Sequence, residues 1–376
     1  MTEYFCGESG SDAADGQSHA NRWLTPQKAF DSVSAAAGGH RINFFGSITL
    51  TATPSLTTFG NGSVSAYTTL QGYTSTPGDG GIASIDGGGF PFLANTAQDG
   101  MILRNFKFTN WGSGFGVQLD NFGAVLECEF DGEGARVQAL DVDQGWMIRR
   151  NKIHDMIATT ENILQTGTNS FVIENYIQST GGSAILLLTS DQAFNNVISL
   201  NSTNAACYGI EVNGDFISIK NNTIYNRAAG TGRGILTLTG SDILFIDNNI
   251  VAGFSGTGGV GILAPSGSDI VVPGHNHFWN NATDTSLTDV HGTIAIDTAF
   301  AENPFVSTDN ADPNDDDFSL TEAALAYFTG LYDPDGAFGS RNKSYGDVGA
   351  LTRSYAGGGG GGGISQQLIN LHRTGR

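Results

Sequence analysis

Apolar β-branched and aromatic residues return through the middle of the chain at long, even intervals, each shortly after an asparagine. The pattern Asn-x-Ile or Asn-x-Phe occurs at Asn151-Lys-Ile153, Asn175-Tyr-Ile177, Asn196-Val-Ile198, Asn222-Thr-Ile224, Asn248-Asn-Ile250 and Asn276-His-Phe278, in steps of 24, 21, 26, 26 and 28 residues. No helical period runs through these segments. A repeat of this length, rich in Asn, Gly and β-branched residues, predicts stacked strand-and-turn coils, a parallel β-solenoid. Following the apolar residue upstream adds Phe108 and Phe130, which makes eight coils. A second apolar series, Val117, Leu140, Ile163, Ile185, Ile210, Ile235 and Ile262, runs in register with the first, so each coil supplies at least two short strands.

Stacked coils bring identical side chains over one another. The repeated Asn residues are therefore expected to form a hydrogen-bonded ladder at a turn, satisfying amides that are costly to bury, and not to act in chemistry. Cys128 falls where a ladder Asn would stand and reads as a small buried side chain. Glycines before strands, Gly116, Gly209, Gly234 and Gly261, are expected to supply corners with positive φ. Open sheet edges at the ends of such a stack need caps. Thr25 as N-cap, Pro26 in the first turn, apolar Phe30 and Val33, and Gly38-Gly39 as the stop predict a short capping helix running to Ala37.

Composition narrows the function. The repeat crosses the region where 376 residues would ordinarily divide into two domains, so one elongated body is expected. Its parts are a cap and first strand over 1–45, coils over 46–300, a closing segment over 301–355, a linker over 356–363 and a terminal peptide over 364–376. A net charge of −20 with only 14% charged residues describes a polar, acidic surface that repels nucleic acid and anionic membranes. No apolar run is long enough to span a membrane, and the first residues, Met1 to Cys6, lack the basic and apolar regions of a secretion signal. Three scattered cysteines, Cys6, Cys128 and Cys207, make neither a disulfide framework nor a zinc site.

The chain resembles the right-handed parallel β-helix proteins of the pectin-lyase-like type. The run Thr25-Pro-Gln-Lys-Ala-Phe30 followed by Gly38-Gly-His-Arg-Ile42 is similar to their capping helix and first strand. Leu70-Gln-Gly-Tyr73 and Pro77-Gly-Asp-Gly-Gly81 are similar to a segment of phage-associated and environmental bacterial members, and Asp317-Phe-Ser-Leu320 and Asp347-Val-Gly-Ala-Leu351 to closing strands. The likeness covers about residues 1–352. It implies an all-β, single-stranded right-handed parallel β-helix with an N-terminal capping helix. It leaves function open, because the superfamily holds lyases, hydrolases, epimerases, phage tailspikes and inert structural proteins.

Strand alternation then sorts the side chains. With Val117, Leu119, Leu140, Val142, Ile210 and Val212 facing the core, Gln118, Asp120, Asp141, Asp143, Glu211 and Asn213 face outward. Asp120, Asp141 and Asp143 then lie on coils about 4.8 Å apart. Such carboxylates suit a glycosidase pair or a calcium site, although a solvated acidic patch is the simpler reading. Arg149-Arg150 with Lys152 is the dense basic cluster a lyase would want, set at a turn, and His154-Asp155 reads as a hydrogen-bonded pair. Asp312-x-Asn314-x-Asp316 opens like a calcium loop but has Asp317 and Ala323 where Gly and Glu are needed. His275, His277 and His291 lack ligand spacing, so no metal ligand is assigned and Ca²⁺ stays open only for the acidic cluster. Leu186, Leu188, Leu236 and Leu238, with Leu164 and Leu263 nearby, are expected to stack outward as an apolar patch that a loop, the C-terminal segment or a partner should cover.

The end of the chain differs in kind. Seven glycines, Gly357 to Gly363, form a linker to a peptide in which Ile364, Leu368 and Leu371 share one helical face and His372, Arg373 and Arg376 add positive charge. A tethered apolar-basic peptide on an acidic body suits an anchor into another protein of an assembly or into a neighbouring copy. The expectation is thus a structural β-helix on a virion or extracellular particle, held by its tail and able to meet polysaccharide. The alternative is a carbohydrate-active enzyme, hydrolase or lyase, working through Asp120, Asp141 and Asp143.

Overall fold

A computed structural model describes residues 2–34, 38–56, 66–94, 99–112, 114–136, 138–157, 162–242, 244–267, 270–274, 276–287, 300–308 and 316–321. Among the described residues the chain winds into successive coils, nine of which contribute one strand to each of three parallel sheets. Sheet A has eleven strands, from Thr2–Gly7 to Ile270–Gly274; sheet B has ten, from Ser47–Thr49 to His277–Trp279; sheet C has nine, from Leu93–Ala94 to Thr283–Leu287. One full coil runs through Trp146–Arg149, Lys152–Met156 and Asn162–Gln165 before Phe171–Ile173 begins the next. No helix among the described residues is long and apolar enough to cross a membrane.

The period of the sequence is the period of the coil, and register converts it into a core. In sheet B the residues Phe108, Phe130, Ile153, Ile177, Ile198, Ile224, Val251 and Phe278 stack in one inward column, each at most 2% exposed. Full burial of a side chain of this size contributes about 1.5–3 kcal/mol, repeated on every coil. Sheet C supplies a second column, with one correction to the sequence reading: Leu164, not Ile163, pairs with Leu140 and Ile185 and points inward.

The ladder also needs a correction. Asn151, Asn175, Asn196, Asn222, Asn249 and Asn276 are its rungs, each Nδ2 donating to the next Oδ1 at 2.9–3.0 Å. Each also donates to a main-chain carbonyl of the coil before, as Asn196 does to Val172 at 2.8 Å. Asn249 replaces the expected Asn248 because the residue before each of the first five rungs takes the left-handed conformation. Arg150, Glu174, Asn195, Asn221 and Asn248 have φ of 56–57°. An Asn-Asn pair fits both positions, and only the register separates them. Cys128 does stand in the ladder, its backbone N–H donating to Asn151 Oδ1 at 2.9 Å. All three cysteines are free and buried.

The four strand glycines do not make corners. Gly116, Gly209, Gly234 and Gly261 lie within the strands of sheet C and have no positive φ. A Cβ there would collide with the next coil and with inward side chains: Ile224 from Gly209, Val251 from Gly234 and Phe278 from Gly261. Space, not torsion, requires them.

At the N-terminus the helix Pro26–Ser32 is capped by Thr25, whose Oγ1 accepts from the Lys28 amide at 3.2 Å, and it buries Ala29 and Phe30. It ends at Ser32 with Val33 extended, five residues short of the expected stop at Ala37, and Ala35 to Ala37 lie outside the described residues. An additional strand, Thr2–Gly7, pairs with His40–Phe45 and forms the outer edge of sheet A. Near the other end, Phe305–Ser307 and Asp317–Leu320 form an antiparallel hairpin, while Asp347 to Leu351 lie outside the described residues.

Candidate functional site

Outward-facing side chains divide by sheet, and each face has its own chemistry. On sheet C, Gln118, Asp141, Gln165, Leu186, Glu211, Leu236 and Leu263 form one column. Asp120, Asp141 and Asp143 come together at its start. Gln118 Nε2 donates to Asp141 Oδ2 at 2.8 Å across adjacent coils. The Asp143 amide donates to the Asp120 carbonyl at 3.1 Å. Burial, the charge of Asp99 and the contact with Asp143 push the Asp120 carboxyl above its usual range. Burial also raises Asp141, with the charge of Asp143 adding to it and the hydrogen bond from Gln118 opposing it.

The leucines do not form the expected patch. Leu164 faces the core and Leu236 is buried, while Leu186, Leu188, Leu238 and Leu263 are half-buried. Glu211 separates Leu186 from Leu236 in the column and accepts from Ser183 Oγ at 2.9 Å. The apolar outward face that is covered lies on sheet B instead. Val197, Tyr225, Ile250 and Ala252 pack beneath Phe305 and Phe318 of the C-terminal hairpin. Phe305 and Phe318 sit 5.7 and 6.0 Å from the Tyr225 ring.

The first coils of sheet B carry an ionic cluster. Lys107 Nζ bonds Glu129 and Asp131 at 3.0 and 3.1 Å. His154, 7% exposed at its side chain, places Nε2 at 3.0 Å from Glu129 and Nδ1 at 2.6 Å from Asp155. Burial pushes the carboxyls of Glu129 and Asp131 up, but the hydrogen bond each accepts from Lys107 and the nearby His154 outweigh it and hold both below their usual range. Sequence reading reached only the His154–Asp155 pair. The missed signal was phase: Lys107, Glu129 and Lys152 each precede the inward residue of the sheet B column, and Asp131 and His154 each follow it. Ligand atoms of Glu129, Asp131 and His154 lie within 4.8 Å of one another, a spacing that suits a cation. The ammonium of Lys107 already bridges two of the three, so the group fits an internal ion-pair network better than a metal centre.

The basic turn is likewise engaged. Arg149 and Arg150 both bond Glu174, at 2.9 and 2.8 Å, and Arg104 bonds Glu127 at 2.8 Å. Arginines so held are poor candidates for a free lyase base. His277 is buried, whereas His275, His291, Asp312, Asn314 and Ala323 lie outside the described residues, as do Ile364, Leu368, Leu371 and Arg373.

A family model described as right handed beta helix region matches residues 92–251. In three dimensions the chain is similar to a protein solved as the complex of XylC with xylose, with 11% identity, 76% of this chain and 70% of that chain covered, and a TM-score of 0.52. It also aligns with a rhamnogalacturonan lyase at 12% identity, covering 88% and 99% of the two chains with a TM-score of 0.42. A third alignment is with the A-module of the mannuronan C-5 epimerase AlgE4 of Azotobacter vinelandii, at 14% identity, 72% and 94% coverage and a TM-score of 0.36. No curated protein matches the chain in sequence. Residues 92–251 thus match a right-handed β-helix family model, and the coils, parallel registers and ladder give the chain a parallel β-helix fold.

Proposed function

We propose that the chain is a carbohydrate-active β-helix, a glycoside hydrolase whose reacting groups are Asp120, Asp141 and Asp143 on the outer face of sheet C. The observation that carries this reading is the gathering of three carboxylates on one outer face, with the Asp143 amide on the Asp120 carbonyl at 3.1 Å and half-buried Asp141 accepting from Gln118 at 2.8 Å. Glycoside hydrolysis needs one carboxyl held neutral to protonate the leaving oxygen and one ionised to act on water or sugar. Asp141, raised by burial and held by Gln118, is the acid. Asp143 is the base, taking a proton from the attacking water.

Activity should fall as pH rises through the raised pKa of Asp141, which must carry its proton.

Reducing-end release from a panel of polysaccharides tests the proposal. Asp141→Asn and Asp143→Asn should each lose about 10²–10⁴-fold, the usual range for general acid–base catalysis. Asp155→Asn, on the other sheet, should keep the rate. Absence of release from every polysaccharide, or equal release by Asp141→Asn, would sink the hydrolase reading.

A further inference from the structure

Sheet A carries an apolar outer face. On its strands Met101–Arg104, Gly123–Leu126, Trp146–Arg149, Phe171–Ile173 and Gln192–Phe194, registered outward positions hold Ile102, Ala124, Met147 and Phe171 in one column and Leu126, Ile173 and Phe194 in the next. Only Arg104, Arg149 and Gln192 interrupt them, and all seven apolar side chains are half-buried. None of the seven belongs to the buried core or to the cluster beneath the C-terminal hairpin. The molecule covers a comparable outward face on sheet B with an aromatic-bearing piece of its own C-terminal region.

From this arrangement we infer that the C-terminal peptide, residues 364–376, docks on the outer face of sheet A of its own chain. Size favours a peptide over a second copy. Five strands about 4.8 Å apart give a stripe roughly 19 Å long, and two columns make it about 10 Å wide, or about 200 Å². A stable complex between globular partners buries about 800 Å² on each side. Eight residues, Ile364 to Leu371, span at most about 26 Å and carry Ile364, Leu368, Ile369 and Leu371.

Charge favours the same occupant. Two of the 17 basic residues, Arg373 and Arg376, lie in the peptide with no acidic residue, leaving 15 against 37, a charge of −22, on the rest of the chain. Attachment through Gly357–Gly363 makes the encounter intramolecular, so a weak intrinsic affinity suffices. The inference does not rest on the hydrolase reading.

Met147 is a built-in reporter, because it lies in the stripe while Met101 and Met156 are fully buried in the core. Peroxide oxidation of the full chain, followed by peptide mass spectrometry, should be at least fivefold faster at Met147 in a Leu368→Asp/Leu371→Asp variant than in the parent. Met101 and Met156 should be unchanged, which controls for unfolding. Excess synthetic peptide of residues 364–376 should restore protection to the variant. Equal Met147 rates in parent and variant overturn the proposal. Protection that vanishes on dilution, with a dimer in light scattering, overturns docking within one chain and assigns the peptide to a neighbouring copy.

Discussion

Single residues carry a disproportionate share of the order in a stacked fold, since each satisfies groups on the coils above and below. Asn249 makes this measurable. Its Nδ2 donates to Asn276 Oδ1 and to the Ile219 carbonyl, and its Oδ1 accepts from the Asn222 amide and side chain, all at 2.9–3.0 Å. Asn249→Ala should strand several buried groups, each costing about 1–3 kcal/mol. Asn248→Ala removes a half-buried side chain from the left-handed corner and should cost far less. Urea midpoints compare the two, and equal losses would restore the register that the sequence alone suggests. Asp191 tests the sign of a buried charge. Its carboxyl accepts from Thr166 Oγ1, Ser170 N and Leu188 N, yet burial pushes it up to about 7 against those three hydrogen bonds. A folded pKa above the unfolded value of about 3.9 means that the folded state holds the extra proton. That contribution is complete below about pH 4 and is lost as pH rises to about 7, by up to about 4 kcal/mol. Stability measured from pH 4 to 8 should therefore show parent minus Asp191→Asn shrinking with pH, and a flat difference would show that Asp191 is ionised throughout.

Elements were legible in proportion to how strictly their residues repeat. The inward column of sheet B could be read from the sequence because each coil places a β-branched or aromatic residue there. Adjacent apolar residues defeat such reading: Ile163-Leu164 and Ile250-Val251 each offer two candidates one position apart, and a shift of one residue exchanges inside for outside. That shift is why Leu164 was counted among the outward leucines. Asp141 flanks two unambiguous inward positions, Leu140 and Val142, and its outward place in the register could be read for the same reason. The Lys107–Glu129–Asp131 group stayed hidden because its members differ in charge from coil to coil and acquire meaning only when stacked. The strand glycines were recognised by position but not by cause, since no sequence shows how closely the side chain of a neighbouring sheet approaches.

Over the whole molecule, one winding rule builds a uniform core, and the outer faces are where the coils differ. Sheet B illustrates the division: its early coils present Lys107, Glu129 and His154, whereas its later coils present Val197, Tyr225 and Ile250 and are sealed by the hairpin. An outward apolar column is a hazard in an isolated solenoid, because it invites association. The hairpin should therefore protect against aggregation as well as stabilise. Phe305 and Phe318 are 2% and 8% exposed, and each Phe→Ala change at a buried site costs about 3–5 kcal/mol when the cavity cannot close. On this face the cost should be lower, since water can enter the edge of the hairpin, and the coils beneath should remain wound because their inward columns are untouched. The double variant Phe305→Ala/Phe318→Ala is thus expected to keep its far-ultraviolet circular dichroism, bind an apolar dye more strongly and aggregate at lower concentration. Loss of the β signal together with the hairpin would instead make the cover part of the folding unit.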